Sequence, residues 1–240
     1  MLLTLDPNDD EKEQALRMVV ERRAERNIRQ AFNGMLDTLY PGGYEEWAEP
    51  QQAANRALEH FRADQALYDA LNRALLEAAD LGVNVAIDQY ERIGFGFAWD
   101  LVNTRARDWA REYAGTLIRQ IDDTSQTFVR QTVSRWIGNG EPLEQLVRDL
   151  TPMFGERRAS QIASTEVTRS FANANLLAYK ESGVTNEVEW RTANDGERVC
   201  PICGVRHGKR APMENPQIDG KTIPAHPACR CWWVPVVSDS

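Results

Sequence analysis

The chain has 240 residues, of which 42% are hydrophobic and 27% are charged, a composition typical of soluble globular proteins. No stretch approaches the roughly 18 unbroken apolar residues that a membrane span needs, and the acidic N-terminus lacks the basic region of a secretory signal. The formal net charge is −8. A general nucleic-acid-binding protein shows a basic excess, so this class is not expected, and any contact with DNA would be local.

Two helical regions are predicted in the first hundred residues. The first covers residues 9–32 and carries a thin apolar stripe made of Leu16, Val19, Val20 and Ile28. The segment Tyr40–Gly43 is predicted to break the chain direction. The second helical region covers residues 50–90, with an interruption expected at Leu81-Gly82, and a loop is expected over 93–97.

The clearest helical pattern lies between residues 104 and 137, preceded by a predicted cap at Asn103-Thr104. One face of this helix is predicted to carry Trp109, Tyr113, Leu117, Ile121, Phe128, Thr132 and Trp136. Such a helix would be roughly 50 Å long, which indicates an elongated bundle or contact with partners. A short helix over 141–151 and a long helix over 156–182, closed by Gly183, are predicted next.

The sequence changes character after Gly183. Val188 and Trp190 are typical of one strand, and residues 232–237 are typical of another. The segment between them is rich in glycine and proline and contains all four cysteines of the chain. Residues 184–240 contain seven basic and seven acidic residues, so the acidic surplus lies entirely in residues 1–183.

The cysteines predict a metal site. Cys200-Pro-Ile-Cys203 is followed about 22 residues later by a segment that contains His226, Cys229 and Cys231. Zinc binds four sulfur or nitrogen ligands in a tetrahedron, and a C-x-x-C turn supplies two of them. The second segment offers three candidates for the two remaining positions, and the sequence does not choose between them. A structural zinc ion is favoured over a catalytic one, because four protein ligands leave no position open for water.

The predicted fold class is therefore mainly α, with an elongated helical N-terminal region followed by a small α+β C-terminal domain stapled by zinc. Three regions are expected. Residues 1–95 form a helical arm, residues 96–183 form a long-helix region, and residues 184–240 form a zinc-binding α+β knob. A knob of this size needs a staple to fold.

Two other functions fit parts of this pattern. A zinc-stapled ββα nuclease could use His207 or His226 as a base and Asp195 or Asp219 to bind a divalent ion. This alternative is disfavoured because the sequence contains no Asp-His or His-His pair. A host zinc-ribbon adaptor, with no capsid partner, is the third hypothesis.

Several motifs occur in an order that resembles one family. They are Ala163–Glu166 with Arg169, Ala178–Val184, Trp190 and Asp195, Val199–Cys203, Gly208-Lys209, and Pro224–Cys231. This order resembles the phage head morphogenesis domain, also called the Mu F-like minor head protein family. The family pattern consists of a T-E-x-x-R helix, a D…C-x-x-C knuckle, a Gly-Lys pair and an H-P-x-C-R-C close. Including Phe97–Asn103 and Ile121–Thr124, the resemblance covers about residues 95–237.

This resemblance implies a minor structural protein in the head of a tailed phage or prophage. Such proteins act in procapsid assembly, DNA packaging or DNA delivery. The expected partners are the portal protein and other capsid or scaffolding proteins, without a membrane. The expected location is the virion, in the head interior or near the portal, and the host cytoplasm during assembly. Some relatives carry a toxin or transferase after this domain; this sequence stops at Ser240, so we expect no enzymatic activity.

Two further hypotheses concern charged residues. Glu166 is expected to pair with Arg169 or Arg230 and so to dock its helix onto the knob. The basic cluster of Arg206, Lys209 and Arg210 could contact packaged DNA, although a solvated loop is the favoured interpretation.

Overall fold

A computed structural model describes residues 7–39, 65–92, 99–139, 143–193 and 200–237. The longer helices in these ranges are α1 (Pro7–Leu39), α2 (Gln65–Glu91), α3 (Trp99–Asn139), α4 (Leu143–Leu150) and α5 (Glu156–Ser182), with a 3₁₀ turn at Thr151–Phe154. The C-terminal part contains strands β1 (Glu187–Arg191), β2 (Arg210–Pro212) and β3 (Trp232–Val236), and the one-turn helix α6 (Pro201–Gly204). The predicted fold class, mainly α with a small α+β C-terminal part, is confirmed.

Most of the predicted helices and both predicted strands are confirmed, with shifted ends. Helix α5 ends as expected at Gly183, which adopts φ 62° and donates its N–H to the carbonyl of Lys180 at 3.2 Å. The predicted cap at Asn103-Thr104 is wrong, because α3 begins upstream at Trp99. With 41 residues, α3 is about 60 Å long. The predicted break at 40–43 and the predicted loop at 93–97 lie outside the described residues.

Helices α2 and α5 pack closely against each other, and each also contacts α1 and α3. The predicted interruption at Leu81-Gly82 is wrong, since α2 continues through it. A Cβ atom at Gly82 would lie 2.6 Å from the carbonyl oxygen of Phe171 and 2.9 Å from the Cβ of Ala174. Asn175 donates from Nδ2 to the Gly82 carbonyl at 2.9 Å. The glycine is therefore a contact point between two helices rather than a helix end.

Helix α1 buries a face that overlaps the predicted one only in part, at the buried Ile28 and the half-buried Val20. Of the predicted apolar stripe, Leu16 and Val19 are exposed at 45% and 53%. The buried side chains recur at helical spacing and begin with two charged residues: Arg17, Glu21, Ala24, Ile28, Ala31, Phe32 and Met35. The charged end of this face points to a polar contact with another part of the protein.

The C-terminal sheet is antiparallel, with the strand order β2-β1-β3. Trp190 pairs with Trp233 across β1 and β3, and their rings pack edge to face with centroids 5.1 Å apart. Strand β3 packs against α5, which connects the sheet to the helices.

One hydrophobic core runs from α1 to the metal-ligand residues, and includes Ile28, Val83, Val167, Trp190 and Cys203. The predicted three-region division stays a prediction. Among the described residues, no helix is long and apolar enough to span a membrane.

Substitution of Gly82 by alanine tests the close approach of α2 and α5. We expect Gly82→Ala to lower the free energy of unfolding by about 1–3 kcal/mol, because its methyl group would overlap the backbone of α5. The matched control is Gly34→Ala in α1, where nothing lies within 4 Å of the added methyl group. This control should raise the free energy of unfolding by about 0.5–1 kcal/mol. Urea denaturation measures both, and equal effects at the two positions would contradict the described packing.

Candidate metal centre

The C-x-x-C knuckle forms a tight turn around α6. Cys200 precedes this helix, and Pro201 occupies its first position, where the missing N–H costs nothing. The Cys200 carbonyl accepts the N–H groups of Cys203 at 3.0 Å and Gly204 at 2.7 Å. This turn brings the two sulfur atoms within 4.8 Å of each other.

The second ligand segment turns immediately before β3. The N–H of Cys229 donates to the carbonyl of His226 at 3.2 Å, and Ala228 between them has φ 58°. Cys231 lies just before the first residue of β3, so both cysteines belong to irregular chain. The sulfur atoms of Cys229 and Cys231 lie within 4.8 Å of each other and of the Cys203 sulfur.

All five predicted ligand residues meet in one place. The Nε2 atom of His226 lies 3.2 Å from the Cys200 sulfur and 3.1 Å from the Cys203 sulfur, and the Cys203 and Cys229 sulfurs are 3.9 Å apart. Zinc–sulfur bonds of about 2.3 Å and zinc–nitrogen bonds of about 2.0 Å separate neighbouring ligand atoms by roughly 3.5–3.8 Å. The donor atoms therefore fit a metal ion of this kind, and the cluster could hold one.

The contacts of His226 suit a metal ligand that binds through Nε2. Its Nδ1 lies 2.8 Å from the carbonyl oxygen of Pro227. A carbonyl oxygen can only accept, so a hydrogen on Nδ1 would complete this contact and would leave the Nε2 lone pair of a neutral ring for a metal. That lone pair belongs to the atom that faces the two sulfurs of the knuckle.

The buried sulfurs compete for negative charge. Cys203, Cys229 and Cys231 are each at most 2% exposed. The hydrogen bond from the Cys203 thiol lowers the pKa of Cys229, with a second contribution from Cys231, and the same contact with Cys229 raises the pKa of Cys203. Negative charges this close together repel, so ionisation of one sulfur opposes ionisation of its neighbours. A divalent ion would allow several of them to ionise together, which is the chemistry of a zinc–thiolate centre.

The donor atoms form two overlapping groups of three. Cys200, Cys203 and His226 form one group, and Cys203, Cys229 and Cys231 form the other. Cys203 is common to both. A cavity of about 60 Å³ borders the first group and Cys231, which favours Cys231 as the fourth ligand. The 3.9 Å separation from Cys203 favours Cys229 instead.

Helix α5 holds the second ligand segment by its backbone. Thr165 accepts the Ala228 N–H at 2.8 Å through its hydroxyl oxygen. One turn later, the buried Thr168 donates its hydroxyl to the Cys229 carbonyl at 2.6 Å. Two threonines on one helix face thus fix the chain on both sides of the Cys229 Cα.

Helix α1 holds the same segment from the other side. Arg17 donates to the carbonyl oxygens of Arg230 and Cys231, the latter at 3.3 Å. The Arg230 side chain in turn donates to the buried Glu21 carboxylate at 3.0 Å. The Ser164 hydroxyl donates to that carboxylate at 3.0 Å, so α5 takes part in the same network.

Glu166 has a different role from the predicted one. Its carboxylate accepts from Arg169 Nε at 3.0 Å, which confirms the first of the two predicted partners. The docking role is wrong, because Arg169 lies on the same helix and Arg230 pairs with Glu21. Glu166 also accepts from the Tyr113 hydroxyl at 3.0 Å and therefore connects α5 to α3. The neighbouring carboxylate and burial of the ring raise the pKa of Tyr113 to about 12, with burial the larger cause.

Of the described residues of the nuclease alternative, His226 lies in the donor cluster, whereas His207 and Asp219 do not. The exposed His207 ring lies 2.9 Å from the Thr192 hydroxyl through Nδ1. Asp219 forms an ion pair with Lys209 at 3.2 Å. The other predicted acidic residue, Asp195, lies outside the described residues.

The predicted basic cluster is balanced by acidic partners. Arg206 is buried, donates to the Ile218 carbonyl at 3.0 Å and lies 3.8 Å from Asp219. Arg210 lies 3.7 Å from Glu189. Arg206 therefore serves the internal structure of the knob, and each of the three basic side chains has an acidic neighbour, which disfavours a DNA-contacting patch.

Sequence reasoning located the five candidate ligands but missed the residues that hold them. Arg17, Glu21 and Thr168 lie far from the ligands in the chain. Arg17 and Glu21 belong to no motif, and Thr168 occupies a variable position of the T-E-x-x-R motif. The only sequence signal for Arg17 and Glu21 is their spacing: they precede Ile28 by eleven and seven residues, which places all three on one face of a helix.

Comparisons with known proteins support one assignment. No curated protein and no solved structure matched the chain. A family model described as Phage Mu protein F like protein matches residues 127–234, a little under half of the chain. The matched segment runs from the middle of α3 to β3 and includes all five candidate ligands. The resemblance to the Mu F-like family is thereby confirmed over residues 127–234, which are similar to Phage Mu protein F like protein.

Proposed function

We propose that this chain is a minor structural protein of a tailed-phage or prophage head. In this role it acts in procapsid assembly, in DNA packaging and delivery, or in both, through contact with the portal protein. The observation that carries the proposal is the family match over residues 127–234. The proposed location is the virion, in the head interior or near the portal, with passage through the host cytoplasm during assembly.

The surface of the protein is compatible with binding to other proteins. The large hydrophobic side chains that are exposed within the described residues fall into two groups, one on α1 and one around α6: Leu16, Met18 and Val19, and Ile202 and Val205. Apolar side chains of this kind contribute to the buried centre of protein interfaces. We propose the portal protein, or another capsid or scaffolding protein, as the partner.

We further propose that the metal is zinc and that its role is structural. Its ligands are Cys200, Cys203, His226 and one of Cys229 and Cys231. Three thiolates and one imidazole favour zinc over magnesium or calcium, which take oxygen ligands. A complete set of four protein ligands leaves no open coordination position, so the proposal is of a non-enzymatic protein.

The role in the head predicts where the protein is found. Quantitative mass spectrometry of purified procapsids and virions of the source phage should detect this chain at far lower copy number than the major capsid protein. It should also co-purify with the portal protein after co-expression. Val19→Asp and Val205→Asp should weaken this co-purification, because each adds a charge to an exposed apolar position. The control Gln30→Asp adds the same charge at an exposed polar position of α1 and should have no effect.

Absence of the chain from both procapsids and virions would contradict the structural role. In that case, divalent-ion-dependent DNA cleavage that is lost in His207→Ala would support the nuclease alternative instead. Presence in particles without portal binding would overturn only the choice of partner.

The metal site predicts a graded response to substitution of its ligands. Protein purified under reducing conditions should contain about one zinc ion per chain by elemental analysis. Cys203→Ser should lose the metal and unfold more easily, since Cys203 belongs to both groups of donors. Of Cys229→Ser and Cys231→Ser, only one should lose the metal, because zinc takes four ligands.

The control for this series is His207→Ala, which removes an imidazole that lies outside the donor cluster and should keep the zinc content. A zinc content well below one per chain in the natural sequence, with Cys203→Ser equally stable, would overturn the metal site. Full metal retention in both Cys229→Ser and Cys231→Ser would overturn the proposed ligand number.

A further inference from the structure

Arg17 is the least exposed charged side chain in the described part of the structure. It is 3% exposed, although arginine is rarely buried without partners. Its guanidinium lies over the Phe171 ring of α5, 5.5 Å from the centroid, and over the Trp232 ring of β3, at 5.4 Å. It donates to two backbone carbonyls of the ligand segment, those of Arg230 and Cys231. One side chain of α1 therefore contacts a helix, a strand and a candidate metal-ligand residue.

The net charge of the groups around Arg17 is opposite in sign to that of a zinc–thiolate centre. Arg17 lies 3.9 Å from Glu21, and Glu21 also pairs with Arg230 at 3.0 Å, so these three groups carry a net charge of +1. A divalent ion bound to three thiolates and a neutral imidazole carries a net charge of −1. Burial lowers the pKa of Arg17, and the nearby Glu21 carboxylate opposes this effect. A negatively charged centre beside the network would further stabilise the buried guanidinium.

We propose that Arg17 is a positioning residue for the metal ligands, which fixes the backbone of Arg230 and Cys231 and thereby sets the affinity of the site for zinc. This inference rests on the metal binding proposed above. The Arg230 carbonyl precedes the Cys231 Cα and the Cys231 carbonyl follows it. Hydrogen bonds to both carbonyls therefore restrict the direction in which the Cys231 sulfur can point. Thr168 fixes the Cys229 carbonyl from the opposite side. Groups that orient ligands in this way typically change metal affinity 10- to 100-fold when they are removed.

The inference predicts a specific effect of Arg17→Met, which keeps the apolar stem and removes the donors and the charge. Zinc affinity is measured in the full chain by competition with a chromophoric chelator, at a temperature where circular dichroism shows the protein to be folded. We expect affinity to fall about 10- to 100-fold. The matched control is Arg23→Met, because Arg23 lies on the same helix and pairs with Glu77 at an exposed site. Its zinc affinity should equal that of the natural sequence.

A second readout separates positioning from stability. The visible spectrum of the cobalt-substituted protein reports the geometry of the ligands, and it should change in Arg17→Met but not in Arg23→Met. A purely structural role would lower the melting temperature of Arg17→Met while a folded sample kept its affinity and its cobalt spectrum. If Arg17→Met does not fold, Arg17→Lys takes its place. One ammonium group cannot span two carbonyls as a guanidinium does, so weakened zinc binding is again expected.

The possible failures are distinguishable. If the natural sequence binds no zinc, the metal site itself is overturned. If the natural sequence binds zinc and the folded Arg17 variant binds it with equal affinity and an unchanged cobalt spectrum, the positioning role of Arg17 is overturned and the metal site stands.

Discussion

A buried guanidinium connects the parts of this structure. Arg17 of α1 lies between the rings of Phe171 and Trp232 and donates to the backbone that carries Cys231. A buried charge is costly unless it is paired and its hydrogen bonds are formed. Movement of α1, α5 or the segment that leads into β3 would therefore be unfavourable, because each contributes to the surroundings of Arg17. Loss of one partner from such a pair typically costs about 3–5 kcal/mol. The position of α1 on the knob therefore follows from electrostatics as well as from apolar packing.

The other features fit around that constraint. Helix α5 contacts α1, α2, α3 and β3, and it presents the threonines that hold the second ligand segment. Small residues such as Gly82 allow α2 to approach α5 closely enough to place this face. Within its described residues, the knob contributes three short strands and a one-turn helix. A metal ion would supply the cohesion that so small an apolar core lacks, and the helices would supply the orientation of its ligands.

Local patterns predicted much of this arrangement. The period of α3 and the glycine that closes α5 are short-range signals that the structure confirms. The C-x-x-C spacing brings the Cys200 and Cys203 sulfurs within 4.8 Å of each other, and metal binding there stays a prediction. The exposed Leu16 and Val19 and the buried Arg17 show the limit of such signals. A weakly amphipathic helix reveals its buried face only when the partner surface is known, and here that surface is a set of backbone carbonyls more than 210 residues away. The prediction of a helix break at Gly82 is wrong because glycine occurs both where a helix ends and where two helices approach closely.

The most direct test is hydrogen exchange followed by mass spectrometry, on metal-loaded and chelator-treated protein. If the ligand segment and α1 form one unit through Arg17, removal of the metal should speed exchange in residues 226–234 and also in residues 13–24 of α1. Residues 65–80 of α2 should change least. Faster exchange confined to the ligand segment, with α1 unchanged, would contradict the coupling between the metal site and the helical region.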